Sequence, residues 1–501
     1  MSNYDLFAPY PISPAKITRL AGYGSANYKV EDLTGQTYLV KHHMDPESFK
    51  RIEAENKIMA HLSAQLPIEV SSPSYDKLIT YPDGSFSRML CFINGIFLKD
   101  VEATPELSFN FGKIIALSHQ SLGSYKTVEI EAYDHKWNLM NCLDSIEDMD
   151  LISDPSQRKI VNYFLEQYKQ VCADPLRKLP KQIIHNDLND WNVLVSDNEI
   201  KGIIDFGDLC YAPKICDLAI AMAYLLLDTP TPLIRAVDLL EGYLSIQKLD
   251  EKEIELLYYL IPARLCVSVI SSNKERSQGN TEDYIFVTEN KAWALLSKWF
   301  EMNPILFRNS LMKPLGFQQL NSVPTLISKR KKHLSSALSL SFDDPIHMNS
   351  AAFQYMYAAN GDTYLDAYNN IPHVGHCHPE VTQAAARQIN KLNTNTRYLY
   401  EALMGYSERL LKYFPNALDK VIFVNSGSEA SDLAIRIAQN HTSNKHILVL
   451  ADGYHGHTRM GIDISAYKFD GKGGDGVNEN ITVLPLPKIY QGLQSSGKAY
   501  A

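Results

Sequence analysis

The side chains best suited to chemistry are concentrated between residues 183 and 208. The run His185-Asn186-Asp187-Leu188-Asn189-Asp190-Trp191-Asn192 sits between the apolar stretches Ile183-Ile184 and Val193-Leu194-Val195, and a third, Ile203-Ile204, ends in Asp205-Phe206-Gly207-Asp208. Phosphoryl transfer from ATP asks little covalent chemistry of a protein. It needs a carboxylate to orient and deprotonate the accepting hydroxyl, and oxygen ligands to hold Mg²⁺ against the phosphates. Asp187 suits the first task as catalytic base, and Asn192 with Asp205 the second as metal ligands. A lone Asn-Asp cluster more often marks an Asx-capped turn. Two such groups at a fitting separation point instead to a site built on strand ends.

Positioning those groups requires strands and helices on both sides. Ile183-Ile184 and Val193-Leu194-Val195 read as the walls of a β-hairpin-like loop. Residues 17–30 read as strand, turn and strand, with Gly22 and Gly24 able to bring backbone N–H groups close to ATP phosphates. A plain hairpin turn is the competing reading there. Residues 37–41 form a strand ending in Lys41, placed to reach the α- and β-phosphates. A helix over residues 46–62 carries Glu55 on the side of Ile58 and Met59, as the partner of Lys41. Glu53 is the rival for that pairing, and a surface ion pair is the alternative for both. Residues 89–95 form a strand leading into a turn. Residues 106–120, 156–172, 217–227, 231–244 and 251–271 show helical periodicity and predict a mainly helical second lobe.

His-x-Asp-x-x-x-x-Asn followed by Asp-Phe-Gly has the order of a kinase catalytic loop and metal acid. With His185-Asn186-Asp187 at its head, the chain resembles the aminoglycoside phosphotransferase and choline kinase family, and Asp205-Phe206-Gly207-Asp208 to Asp217-Leu218-Ala219 resembles its hydroxylysine kinase branch. The likeness covers about the first 310 residues. It implies an α+β two-lobed protein-kinase-like fold, ATP and Mg as cofactors, and adenine held between the lobes by the segment with Phe92 and Asn94. It also makes Asp217 a structural acid that holds the catalytic-loop backbone. Asp190 and Asp208 are nearby carboxylates that could assist the metal or bind a substrate amine. His135, Trp137 and Arg264 are equally readable as acceptor-pocket or helix-packing residues.

Farther on, residues 303–339 read as a linker with a short helix around 325–336. A hairpin follows, with an Asn360-Gly361-Asp362 turn. His373, His376, Cys377 and His378 lie close together, but structural zinc sites want a second ligand pair, which is missing. The loop resembles that of class III aminotransferases, PLP enzymes of fold type I. Thr394-Asn395-Thr396-Arg397 and Phe423-Val424-Asn425-Ser426-Gly427-Ser428-Glu429 support this. The latter reads as a strand running into a small-residue turn and a helix, whose N-terminus offers N–H groups to a phosphate. Gly427 and Ser428 would therefore grip the phosphate of PLP. The strand at 447–450 is expected to be buried. By resemblance Tyr454 stacks on the pyridine ring and His455 lines the site, while residues 465–474 resemble the phospho-lyase subgroup. The Schiff-base lysine and the acid for the pyridine nitrogen lie farther downstream in that family. Lys468, Lys472, Lys488 and Lys498 sit in the wrong context to replace that lysine. The expectation is a partial α/β PLP-dependent transferase (fold type I) domain, vestigial or split, without PLP turnover of its own.

Composition bounds the rest. At 501 residues, 45% hydrophobic and 21% charged, the chain predicts two or three folded domains. They are a kinase domain over 1–310 (lobes about 1–93 and 94–310), a linker over 311–340 and a truncated aminotransferase-like domain over 341–501. A net charge of −9 argues against nucleic-acid partners. Seven cysteines without a CxxC pair suit a reducing, cytoplasmic setting. No signal peptide is expected, nor any stretch near the length needed to span a membrane. The reading is a fusion protein: an ATP- and Mg-dependent kinase acting on a small amino-alcohol or amino acid of hydroxylysine type. Its alternatives are a transaminase or phospho-lyase completed by a homodimer or complementing chain, and a non-catalytic binding module.

Overall fold

The computed structural model describes residues 5–20, 22, 24–133, 135–279, 288–313, 323–369 and 373–486, in two compact units, Met1–Lys391 and Leu392–Ala501.

The first unit opens with a five-stranded antiparallel sheet. Its strands β1 (Pro14–Leu20), β2 (Ala26–Asp32), β3 (Thr37–His43), β5 (Ile79–Thr80) and β6 (Phe86–Cys91) run in the order β1-β2-β3-β6-β5. Register places Lys41 of β3 directly opposite Arg88 of β6, so the two cations share one face of the sheet. The predicted first helix starts as a short 3₁₀ turn at Pro46–Ser48, capped by Asp45, and continues as α1 (Phe49–Gln65). Its Ile52, Ile58, Met59 and Leu62 are buried, and so is Glu55 on the same face.

A second sheet carries the loop expected to be catalytic: β4 (Glu69–Val70), β7 (Ile96–Phe97), β9 (Val193–Ser196) and β10 (Glu199–Ile203), in the order β4-β10-β9-β7. Beside it β8 (Lys181–Ile184) pairs with β11 (Cys210–Pro213). This corrects the hairpin expectation. The wall at Ile183-Ile184 pairs with β11, and the wall at Val193 pairs with β10 through a turn in which Asp197 and Asn198 both take left-handed φ, 53° and 62°. Two neighbouring apolar runs do not reveal their ladder partners, because any strand can accept either.

The second lobe is helical: α2 (Pro105–Leu122), α3 (Val128–Glu131), α4 (Pro155–Gln167), α5 (Ala173–Lys178), α6 (Lys214–Leu225), α7 (Pro232–Leu244) and α8 (Glu251–Ser277). Helices α2 and α7 cross at paired glycines. A Cβ on Gly112 would stand 1.9 Å from the Leu239 carbonyl oxygen, and one on Gly242 1.9 Å from that of Phe109. Helix α8 overturns one expectation, being long and apolar enough to cross a membrane by length and composition. Most of that stretch is buried among the other helices, which accounts for its apolarity without a bilayer.

Much of the stretch expected as linker is ordered. A helix at Pro304–Met312 buries Phe307, Leu311 and Met312, and another spans Val323–His333. Three strands, β12 (Met348–Ala352), β13 (Tyr355–Ala358) and β14 (Thr363–Leu365), then pack on the helical lobe. The Asn303 amide donates to the carbonyls of Ala358 and Asp362, both at 2.8 Å, and the Tyr357 hydroxyl donates to that of Phe300 at 2.6 Å. These contacts tie residues 357–362 to the helical lobe, within the first unit, which runs to Lys391.

The second unit has helices Glu401–Leu411 and Gly427–Thr442 and a parallel strand pair, Ile447–Leu450 with Ile481–Leu484, around Val449, Ile464, Ala466 and Phe469. Two expectations fail here. Residues 423–425 are not a strand, since the sheet does not extend to them, and Leu448 and Leu450 of the expected buried strand are exposed.

Candidate active site

The loop leaves β8 through Asn186, whose φ of 66° turns the chain back over α6. Asp217 in the first turn of α6 accepts the N–H of His185 at 3.0 Å and that of Asn186 at 2.7 Å, and His119 Nε2 stands 3.1 Å from the same carboxylate. His185 Nε2 contacts the Ile204 carbonyl at 3.1 Å and its Nδ1 lies 3.3 Å from the Asp187 N–H. That arrangement is met by a neutral ring carrying its proton on Nε2, and burial lowers its pKa accordingly.

Asp187 is thereby presented with both oxygens engaged. Oδ2 accepts from the Asn192 amide at 2.7 Å and from Asn189 at 3.0 Å, while Arg264 Nη2 lies 2.8 Å from Oδ1. Asn192 also donates to the Asp187 carbonyl at 2.9 Å, and its own carbonyl accepts the Ile204 N–H at 2.9 Å, which ties the loop to the strand that delivers Asp205. Burial pushes the Asp187 carboxyl up to about 7, helped by the charges of Asp208 and Asp205 and opposed by Arg264. A carboxylate near neutrality suits a general base.

Asp205 is the opposite case. It takes left-handed φ, 59°, with Oδ1 2.8 Å from Lys41 Nζ, and that ammonium holds its carboxyl down at about 2. The expected Lys41–Glu55 pair is not made. Glu55 is fully buried between Arg51 Nη1 at 2.8 Å and Arg88 Nη1 at 3.0 Å, and Arg88 also reaches the Asn56 side chain at 3.1 Å. With two cations side by side on the sheet, the guanidinium, which presents more donors, takes the buried carboxylate and the lysine reaches the loop acid. Glu53 forms a surface pair with Lys57 at 3.3 Å.

Gly24 has φ of 74° with no atom within 4 Å of a Cβ position, whereas at Gly22 the Asn27 side chain fills that space. Lys29 Nζ sits 4.7 Å over the Phe92 ring, and Asn94 is exposed just beyond β6. Among the described residues no hydrogen bond or ion pair joins Gly22, Gly24, Phe92 or Asn94 to Asp187, so the structure gathers Lys41, Asp187, Asn192 and Asp205 and leaves the residues expected at the nucleotide apart from them.

Two arginines complete the site that motif spacing does not reveal. Arg264 on α8 lies against the Trp137 ring at 5.1 Å, and Arg51 on α1 also donates to the Gly207 carbonyl at 2.7 Å. The one signal for Arg264 was a cation inside an apolar helical stretch. His135 Nε2 stands 2.9 Å from Asp208. Burial raises Asp190 to about 6. Among the described residues no cluster of three or more His, Cys, Asp or Glu could hold a metal. Asn192 and the ionised Asp205 fit Mg²⁺ as two oxygen ligands, the remainder falling to phosphate oxygens. The histidine loop is tied down by His376 Nε2 on Asp366 at 2.7 Å.

In the second unit Ser426 caps the helix Gly427–Thr442, accepting the Glu429 N–H at 3.2 Å, and a Cβ on Gly427 would meet open space. The His457 N–H donates to Ser428 Oγ at 3.2 Å, which brings the loop carrying Tyr454 and His455 to that helix end. Lys468 Nζ is 5.7 Å over the Tyr454 ring, and His455 Nε2 is buried without a partner. These features fit a phosphate-bearing ring. Lys488 and Lys498 lie outside the described residues.

Comparison with known proteins assigns the two parts of the chain to different families, with a boundary that differs from that of the compact units. Residues 16–253 match the phosphotransferase enzyme family and residues 342–494 match the class-III aminotransferases. The alanine–glyoxylate aminotransferase 2-like protein of Drosophila melanogaster is 38% identical over 187 residues, 37% of this chain and 38% of that one. The ethanolamine-phosphate phospho-lyase homolog 1 of Caenorhabditis elegans is 34% identical over 187 residues, 37% and 40% of the two chains. This chain thus spans about two fifths of the length of the curated relatives it matches. The solved structure of an amicoumacin kinase with AMP-PNP and Ca²⁺ aligns over 58% of this chain and 90% of that one, at 17% identity and a TM-score of 0.44.

Proposed function

We propose that this chain, a phosphotransferase-family domain of kinase-like fold followed by a class-III aminotransferase segment, phosphorylates a hydroxyl of a small amine-bearing acceptor of hydroxylysine type. The observation that carries the reading is Asp187, half-buried with a carboxyl near 7 and bridged by the Asn192 amide toward the strand that ends at Asp205. Asp187 takes the acceptor proton as the hydroxyl oxygen bonds to the γ-phosphorus and the bond from phosphorus to the bridging oxygen of ADP breaks. Lys41 reaches the phosphates from β3, where its ammonium is poised beside Asp205. Gly22 and Gly24 close over them, and the Phe92–Asn94 strand end holds adenine. Asn192 and Asp205 would hold Mg²⁺, which would neutralise phosphate charge when bound.

ATP turnover with hydroxylysine, ethanolamine, choline and homoserine tests the reading; failure of all four as acceptors overturns it. Asp187→Ala is expected to abolish turnover while leaving ATP binding largely intact.

A second reading is favoured by the open helix N-terminus at Gly427 and by the C. elegans relative, whose name gives an amino-alcohol phosphate as substrate. In it the second unit contributes to a PLP site, with Gly427 and Ser428 on the phosphate, Tyr454 under the ring and His455 beside it. Its product logic fits the first reading, since the kinase makes a phosphorylated amino alcohol that such a lyase consumes. Titration with PLP, read as absorbance and as quenching of tyrosine fluorescence, tests it; a Gly427→Glu variant that binds PLP as the wild type does overturns it.

A further inference from the structure

A cavity of about 270 Å³ opens beside the catalytic loop, between residues 98–103 and the end of α6. Asp190 lines it. That side chain is buried, at 6% exposure, and its Oδ1 has no hydrogen-bond partner. Buried polar atoms are nearly always satisfied, so an orphaned carboxylate oxygen on a cavity wall asks for a donor from outside the chain. Of the other two acids on the wall, Glu102 and Asp228, the latter is paired with Lys291 at 2.7 Å. Three cations also line it: Lys99, paired with Asp100 at 2.6 Å, Arg235, paired with Asp238, and Lys291. Tyr224 lines it as well and lies 5.7 Å from the guanidinium of Arg264, the residue that contacts Asp187. One aromatic side chain therefore separates the cavity from the group that holds the expected base.

We infer that this cavity is the acceptor site and that it selects a hydroxy amino acid as its zwitterion, the ammonium on Asp190 and the carboxylate on Arg235 and Lys291. This rests on the kinase reading above. The volume lies near the lower end of ordinary ligand pockets, about 300 Å³, which suits an acceptor of roughly a dozen heavy atoms. A simple amino alcohol would satisfy Asp190 and leave both cations to their own partners, so carboxylate-bearing acceptors should be preferred.

The test is steady-state kinetics of the full chain on hydroxylysine and on ethanolamine, with isothermal titration of hydroxylysine into protein saturated with a non-hydrolysable ATP analogue. Asp190→Asn should raise the KM for either amine by roughly 10- to 100-fold, with kcat and the KM for ATP little changed. Arg235→Gln should weaken hydroxylysine by about 10-fold and leave ethanolamine as it was. Thermal unfolding shows whether each variant is folded, and Lys291→Met replaces any that is not. If wild-type protein turns over hydroxylysine and both variants keep its KM and its heat of binding, the acceptor lies elsewhere and the kinase reading survives. If wild-type protein neither turns over nor binds any acceptor, both fall.

Discussion

Arg264 Nη2 lies 2.8 Å from Asp187 Oδ1, so the expected base is held by a guanidinium from a helix 77 residues farther along the chain. The arginine lowers the Asp187 carboxyl against the burial that raises it to about 7. As the proposed base Asp187 acts ionised, so activity is expected to rise with pH through that value. Arg264→Met should move the acidic limb of the kcat/KM profile alkaline and cut the rate at pH 7 by about 10-fold or more, at a stability cost of about 3 kcal/mol. Arg264→Lys should recover part of the shift. An acidic limb that stays in place in Arg264→Met would leave the arginine a packing residue.

Lys41 and Glu55 should separate in mutagenesis, because they do not touch. Lys41→Met is expected to weaken ATP binding by about 10- to 100-fold, read by titration with ATP, with little loss of stability. Glu55→Ala leaves Arg51 and Arg88 without their carboxylate and should destabilise by about 3–5 kcal/mol in denaturant melts. Equal effects of the two on ATP affinity, without unfolding, would restore the lysine–glutamate pairing.

Gly112→Ala should be poorly tolerated. Its methyl group has no room beside the Leu239 carbonyl, so α2 and α7 must move apart, with a cost of about 1–3 kcal/mol or more in urea unfolding.

His43 makes the fold acid-sensitive. Its ring is buried and stacked on Phe86, 5.1 Å between centroids, and burial with the Arg88 and Lys41 charges depresses its pKa to about 2. The unfolded chain takes up the proton below about 6.5 and the folded one does not, so the contribution is unaltered above that pH and stability falls as pH drops below it. At pH 5.5 the loss should be about 1 kcal/mol. Thermal melts at pH 7.5 and 5.5 of the wild type and His43→Phe check this; an unchanged pH dependence in the variant would move the sensitivity to another group.

Sequence reading works where chemistry is carried by neighbours in the chain. The segment from His185 to Asp208, the helices of the second lobe and the helix after Ser426 all follow from local spacing and periodicity. It falls short at the walls of the loop, where Ile183 and Val193 each found a different ladder partner, and at residues 423–425. Strand pairing is a choice among distant segments that no window of sequence contains.

The amino-acid order by itself determined which groups enter the candidate site: Asp187 and Asn192 lie five residues apart, and Asp205 arrives at the end of the next hairpin. Only the tertiary structure decided which charges meet. Arg88 stands beside Lys41 across two strands and claims Glu55, which leaves the lysine to Asp205, and Arg264 arrives from α8 to hold Asp187. Such pairings are settled by competition among charges brought together from remote parts of the chain, where burial decides how strongly each attracts.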